Sequence, residues 1–190
     1  MMSKKYRMIH DENLCIGCQA CSVACRSENG IPDDFFRLQV RIETKGKFPH
    51  LKTDFRRQSC VMCEDAPCVT VCPTGASFQT DDGLVHIDER TCVSCKYCVV
   101  ACPYEARYTH PVTKAIDKCT FCFSNRVSKG LDPACVSICP TDALVFGDMN
   151  DENSEVFKKS KENFTLFPKE HLGTHPKLAF VPNKKGVDYE

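Results

Sequence analysis

Cys92-Val93-Ser94-Cys95-Lys96-Tyr97-Cys98-Val99-Val100-Ala101-Cys102-Pro103 spaces four cysteines by two, two and three intervening residues and closes on a proline. The same grammar recurs on either side of it. Upstream lie Cys15, Cys18, Cys21 and Cys25, then Cys60, Cys63, Cys68 and Cys72; downstream lie Cys119, Cys122, Cys135 and Cys139. All 16 cysteines of the 190-residue chain fall into these four groups, and Pro73, Pro103 and Pro140 follow three of the closing cysteines. Three cysteines two residues apart sit on a tight loop whose sulfurs can converge on three corners of a cube. The fourth lies a helical turn further on and points away from that loop, so in a paired arrangement it reaches the neighbouring site. The proline ends the junction, since it has no N–H to donate.

This is the spacing with which ferredoxin-type loops hold iron–sulfur clusters, and four complete sets predict four 4Fe–4S clusters. Structural zinc prefers cysteine pairs separated by a longer segment, and a three-cysteine run leaves it one sulfur too many. A disulfide framework has no use for four repeats of one pattern. Composition agrees with a cofactor-built interior. Apolar residues make up 42% of the sequence, a good part of them cysteine, and there are 11 Pro, 9 Gly and no Trp. So little aliphatic surface predicts that bound cofactors supply much of the core. The 25 basic residues balance the 25 acidic ones, which gives no electrostatic case for nucleic acid or an anionic membrane surface. Met1–Met8 is basic with no apolar stretch behind it, and no run of 18 apolar residues follows anywhere, so neither a secretory signal nor a membrane span is expected.

The pairing of the groups follows from what joins them. Ser77–Thr80 and Leu84–Ile87 read as strands around an Asp81-Asp82-Gly83 turn. Groups two and three, linked by that hairpin, therefore form one two-cluster unit, and groups one and four pair across the sequence. The expected ligand sets are Cys92, Cys95, Cys98 and Cys72; Cys60, Cys63, Cys68 and Cys102; Cys15, Cys18, Cys21 and Cys139; and Cys119, Cys122, Cys135 and Cys25. Cys72-Pro73-Thr74-Gly75-Ala76, Cys102-Pro103-Tyr104-Glu105-Ala106 and Cys139-Pro140-Thr141-Asp142-Ala143 repeat one turn, and Met8–His10 can pair with Leu144–Phe146.

The expected fold is α+β and loop-rich: two interleaved bacterial-ferredoxin-like units built around four clusters, with an inserted β-hairpin and an extended tail. In residues, the outer unit spans 1–30 plus 115–149, the hairpin 31–55, the inner unit 56–114 and the tail 150–190. Phe36, Leu38, Val40 and Ile42 alternate with polar residues as a period-2 strand that turns through Lys45–Pro49 and returns along Lys52–Gln58. A short helix near Glu152–Lys161 opens the tail, which either covers its own core or lies across a partner.

No GxGxxG or GxxxxGK is present, so no nucleotide site is expected. The six histidines read as surface or strand packing, and Arg56-Arg57 as a solvated face. No catalytic residue is expected. Lys96 and Lys118, beside the third and fourth groups, are placed to favour the reduced form of a nearby cluster, unless both point to solvent.

The order of the groups, the gap in Cys63-Glu64-Asp65-Ala66-Pro67-Cys68 and the long gap ending Pro133-Ala134-Cys135 resemble the four-cluster subunits of complex iron–sulfur molybdoenzymes. Cys15-Ile16-Gly17-Cys18-Gln19-Ala20-Cys21, Cys72-Pro73-Thr74-Gly75-Ala76-Ser77, Asp117-Lys118-Cys119 and the tail stretch Leu172-Gly173-Thr174-His175-Pro176-Lys177-Leu178 are most similar to the B subunits of polysulfide and thiosulfate reductases. The resemblance implies an electron-transfer subunit between an integral membrane quinol-interacting subunit and a molybdopterin catalytic subunit. It also implies a place on the periplasmic face of the membrane, after export with a signal-bearing partner; the alternative is cytoplasmic. Nitrate reductase-type subunits replace one cysteine by Trp and formate dehydrogenase-type subunits add a membrane helix, and neither feature is present here. A dimethyl sulfoxide reductase-type B subunit, a free-standing soluble polyferredoxin and a structural zinc module are the competing readings.

Overall fold

The computed structural model describes residues 4–183. Residues 1–3, where the basic N-terminal stretch starts, and 184–190, where the tail ends, lie outside the described residues. The elements in order are β1 (Tyr6–Asp11), α1 (Ala20–Asn29), β2 (Leu38–Lys47), β3 (His50–Ser59), α2 (Pro67–Thr70), β4 (Ser77–Gln79), β5 (Val85–Ile87), α3 (Tyr97–Val100), β6 (Tyr108–Thr109), β7 (Ile116–Asp117), α4 (Ala134–Ser137), β8 (Leu144–Asp148), α5 (Glu155–Glu162) and β9 (Leu178–Val181).

β1 is the centre of a three-stranded sheet. It runs antiparallel to β8, with Met8 opposite Phe146, and parallel to β9, with Met8 opposite Leu178. Both faces of β1 are buried, which explains a strand without polar alternation. Met8 packs on the cysteine-rich core, while Ile9 faces Val145, Val156, Ala179 and Val181 under α5. α5 starts where Ser154 caps it, its hydroxyl accepting the Phe157 N–H at 3.3 Å. It ends with Lys159 and Lys161 in the last turn, where cations suit the helix dipole.

The remaining sheets are two-stranded hairpins: β2–β3, β4–β5 and β6–β7. The long one differs from the pattern reading in where it is buried. Leu38 and Val40 are buried, but Ile42 is 58% exposed and Phe36 44%. The hairpin leaves the body beyond Val40, so its alternation continues without a surface to face. Pairing also runs further than expected, to Lys47 opposite His50, which leaves Phe48-Pro49 as the turn. The tail is not a strap on the surface. Just before β9, the Lys177 N–H donates to the Val61 carbonyl at 2.9 Å, and the carbonyls of His175 and Thr174 accept from Glu64 and Asp65. It therefore fastens the sheet to the second cysteine group.

Candidate metal centre

Each cysteine group is built on one local plan. The third cysteine is the second residue of a helix: Cys21 in α1, Cys68 in α2, Cys98 in α3 and Cys135 in α4. The residue before the second cysteine is left-handed: Gly17 at φ 68°, Met62 at 51°, Ser94 at 55° and Phe121 at 54°. Such a conformation costs a non-glycine residue about 1–2 kcal/mol and persists only where the surroundings enforce it. The turns after the closing cysteines also match, with Gly75, Glu105 and Asp142 left-handed. Their N–H groups donate to the carbonyls of Cys72, Cys102 and Cys139 at 3.3, 3.3 and 3.5 Å. α1 packs on α4, and α2 on α3.

This packing brings the cysteines together in quartets. Cys15, Cys18, Cys21 and Cys139 line one space of about 390 Å³, together with His10, Gln19 and Arg57. Cys72, Cys92, Cys95 and Cys98 line another of about 290 Å³, with Lys96 and Arg107. Cys60, Cys63, Cys68 and Cys102 line a third of about 330 Å³, with Tyr104 and again Arg107. Cys25, Cys119, Cys122 and Cys135 are all buried, and Cys25 lies within electrostatic reach of the other three. The Asn29 amide nitrogen is 3.8 Å from both Cys25 Sγ and Cys122 Sγ. Cys18 and Cys95 are the exposed members.

The electrostatics is that of thiols held apart from water. Burial pushes Cys21 and Cys119 up to about 11 and Cys63 up to about 12, with neighbouring cysteines adding to the shift. Burial raises Cys25 as well, and Cys119, Cys135 and Cys122 push it further. Cys72 goes the other way: its small burial cost is outweighed by hydrogen bonds from Ser77 and Thr74. Ligand thiols must be ionised to bind metal, so the quartets need cations to be stable as thiolates.

Part of that cation supply is in the protein, and here the sequence reading needs correcting. Arg57 does not lie on a solvated face. It is 3% exposed, with Nε donating to Ser59 Oγ at 2.9 Å and Nη1 3.5 Å from Cys135 Sγ. Neighbouring side chains of an extended strand point to opposite faces, and only Arg56 reaches outward, toward Glu12 at 3.4 Å. Arg107 is 6% exposed and donates from Nη2 to Cys68 Sγ at 2.7 Å and to Ser77 Oγ at 3.0 Å. Its repeat register was a signal. Ser77 and Leu144 occupy the same place after Cys72 and Cys139, and both are buried. Lys118 is 1% exposed, its ammonium held by the carbonyls of Val85 and Cys119, whereas Lys96 is exposed. His10 and His86 pack within strands; burial, helped by Arg57 and Lys118 respectively, drops them to about 3 and about 4, so both are neutral.

Two nitrogens test what the quartets hold. Arg57 Nη2 and Arg107 Nη1 are buried without a protein acceptor. A buried unsatisfied donor costs about 1–3 kcal/mol, more when charged. Both residues line the cysteine-walled spaces, so the missing acceptors belong there, and inorganic sulfide is such an acceptor. Among the described residues no three His, Cys, Asp or Glu side chains gather closely enough for a single ion. Zinc would require four sulfurs about 2.3 Å from one point. An all-sulfur donor set around a space fits an iron–sulfur cluster.

A family described as the 4Fe-4S dicluster domain matches residues 51–149, and a second of the same description matches residues 14–76. The protein belongs to the 4Fe–4S dicluster family. Among curated proteins, the B subunit of polysulfide reductase from Wolinella succinogenes is 59% identical over 187 residues, covering 97% of this sequence and 98% of the relative. Protein NrfC of Escherichia coli is 50% identical over 184 residues, 96% of this sequence and 82% of the relative. The thiosulfate reductase electron transfer subunit PhsB of Salmonella typhi is 47% identical over 163 residues, 85% of each sequence. This dicluster protein is thus homologous along nearly all its length to subunits of reductases. No helix among its described residues is long and apolar enough to cross a membrane.

Proposed function

We propose that this protein carries four 4Fe–4S clusters and is the electron-transfer subunit of a membrane-associated reductase of the polysulfide or thiosulfate type. The clusters are assigned to Cys15, Cys18, Cys21 and Cys139; to Cys25, Cys119, Cys122 and Cys135; to Cys60, Cys63, Cys68 and Cys102; and to Cys72, Cys92, Cys95 and Cys98. Residues 1–30 with 115–149 then form the outer ferredoxin-like unit and 56–114 the inner one, with the hairpin of 31–55 inserted and the tail of 150–190 closing the fold.

The observation that carries this reading is the order of the quartets. Arg107 lines both inner-unit spaces. Cys60 lies within electrostatic reach of Cys119, which joins the units. Arg57 lines the Cys15 space and approaches Cys135. The result is a row of four sites with exposed Cys95 at one end and exposed Cys18 at the other. A cluster held by four thiolates has no open iron and exchanges single electrons. The protein's own part is to fix the thiolates, keep water from the two middle sites and present the end sites to partners. One electron enters and one leaves, so the protein undergoes no net change and is not an enzyme by itself. Exposed Ile16 and Val23 near Cys18, and Val93 and Tyr97 near Cys95, give each end an apolar rim suited to a protein contact.

The named roles of the relatives support a molybdopterin catalytic subunit at one end and an integral membrane quinol-interacting subunit at the other. The same reading puts the protein on the periplasmic face, exported with a signal-bearing partner. The test is anaerobic purification from native membranes with metal analysis. About sixteen iron and sixteen sulfide per polypeptide follow from four cubanes, together with comigrating molybdenum and a membrane subunit. Stoichiometric zinc without sulfide would overturn the electron-transfer reading. A species of single-polypeptide mass would leave a free polyferredoxin instead.

A further inference from the structure

Four sites in a row have three gaps between them, and each gap holds one buried cation. In the first, the Arg107 guanidinium borders both the Cys95 and the Cys68 spaces and donates to Cys68 Sγ at 2.7 Å. In the second, Lys118 spans from the Val85 carbonyl, on the wall of the Cys60 space, to the Cys119 carbonyl at 2.8 Å. In the third, Arg57 borders the Cys18 space and lies 3.5 Å from Cys135 Sγ. None of the three is more than 6% exposed. None has a carboxylate among its hydrogen-bond or ion-pair partners. A buried cation without a carboxylate is stable only if other negative charge faces it, and here the thiolate quartets are what it faces.

We propose that Arg107, Lys118 and Arg57 are shared counter-charges of the electron path, each raising the reduction potentials of the two clusters it separates. The inference rests on the four-cluster reading above. Reduction adds a negative charge to a cluster, and a fixed cation beside it in a medium of low dielectric favours that state. Because the cation sits in a gap, its effect falls on two neighbours and leaves the far sites nearly untouched. Electrostatic screening spares the exposed Lys96 any comparable role.

The test is an anaerobic redox titration of the full-length holoprotein, followed by electron paramagnetic resonance, after iron and sulfide have been counted. Arg107→Gln is expected to lower two of the four midpoints by about tenfold in the reduction equilibrium, ~59 mV for one electron. Arg57→Gln lowers the other two, and Lys118→Met lowers one of each pair. Arg107→Lys and Arg57→Lys recover most of the loss, and Lys96→Gln moves no midpoint comparably. Unmoved midpoints in a fully loaded Gln variant, an equal fall in all four, or no recovery with Lys would overturn the proposal. If a Gln variant loses its clusters, the wild-type protein labelled with 15N-arginine decides. Pulsed resonance should detect guanidinium nitrogen coupled to the reduced centres, and its absence would refute the contact. A wild-type protein lacking iron and sulfide would instead defeat the four-cluster reading itself.

Discussion

Replacing Gly17 by alanine tests whether the first cysteine loop is shaped by the hairpin lying over it. Gly17 has φ 68°, and a Cβ built there would stand 2.4 Å from Phe55 Cδ1 and 2.5 Å from Cε1. The conformation costs an alanine about 1–2 kcal/mol, and forcing a methyl against a ring seated on β3 adds about 1–3 kcal/mol. The sum, about 2–5 kcal/mol, accelerates unfolding at least ~30-fold if it is felt only in the native state. The assay is the rate at which visible cluster absorbance bleaches in anaerobic guanidinium, with iron content as the control. Phe55→Ala removes the ring and leaves the backbone cost. The double mutant should therefore show a coupling of about 1–3 kcal/mol between the two positions. Bleaching of Gly17→Ala within about threefold of wild type, which is under ~1 kcal/mol, or no coupling in the cycle, would refute the steric argument.

Asp117 accepts from Arg37 Nε and Nη2 at 2.8 Å each and from the Tyr108 hydroxyl. Asp117→Asn strands that guanidinium and should cost about 3 kcal/mol, read as a lower chaotrope midpoint; a loss under ~1 kcal/mol, the range of a surface pair, would contradict it. Ala179 is fully buried in β9 beside Ile9 and Val156, so Ala179→Asp should abolish recovery of soluble, iron-replete protein; normal recovery would show that β9 is dispensable. Burial holds Cys21 and Cys119 at about 11 and Cys63 at about 12, so the thiols are neutral without iron and nothing fills their spaces. Anaerobic chelation should therefore cost the protein its strand signal in circular dichroism and its resistance to protease, and a native-like apoprotein would refute this.

The cysteine groups were readable because cluster ligation fixes residue type and spacing in short stretches of sequence. The strands beside them were readable for a related reason: Val85–Ile87 and Leu144–Asp148 follow turns with strong local signals. The buried cations were not, because their placement is tertiary. Arg56-Arg57 looks like any surface pair until β3 sends one residue inward, and Lys118 looks like any lysine beside a cysteine until β5 covers it. Arg107 was half-readable, since alignment of the three closing turns puts it at an inward position. The tail defeated local reading for the same reason as Arg57. Leu178–Val181 is apolar enough for a core or for an interface, and its partner strand lies some 170 residues earlier.

That long separation bears on how the protein is made. β9 lies beside the first strand to leave the ribosome, yet it is synthesised almost last, after every cysteine has emerged. A nascent polypeptide therefore exposes all sixteen thiols before its central sheet can be completed, and the interior stays accessible to the machinery that delivers iron and sulfide. Closure by β9 then becomes a natural checkpoint of maturation, since a polypeptide that has not received its cofactors has little to close over and remains open to proteolysis.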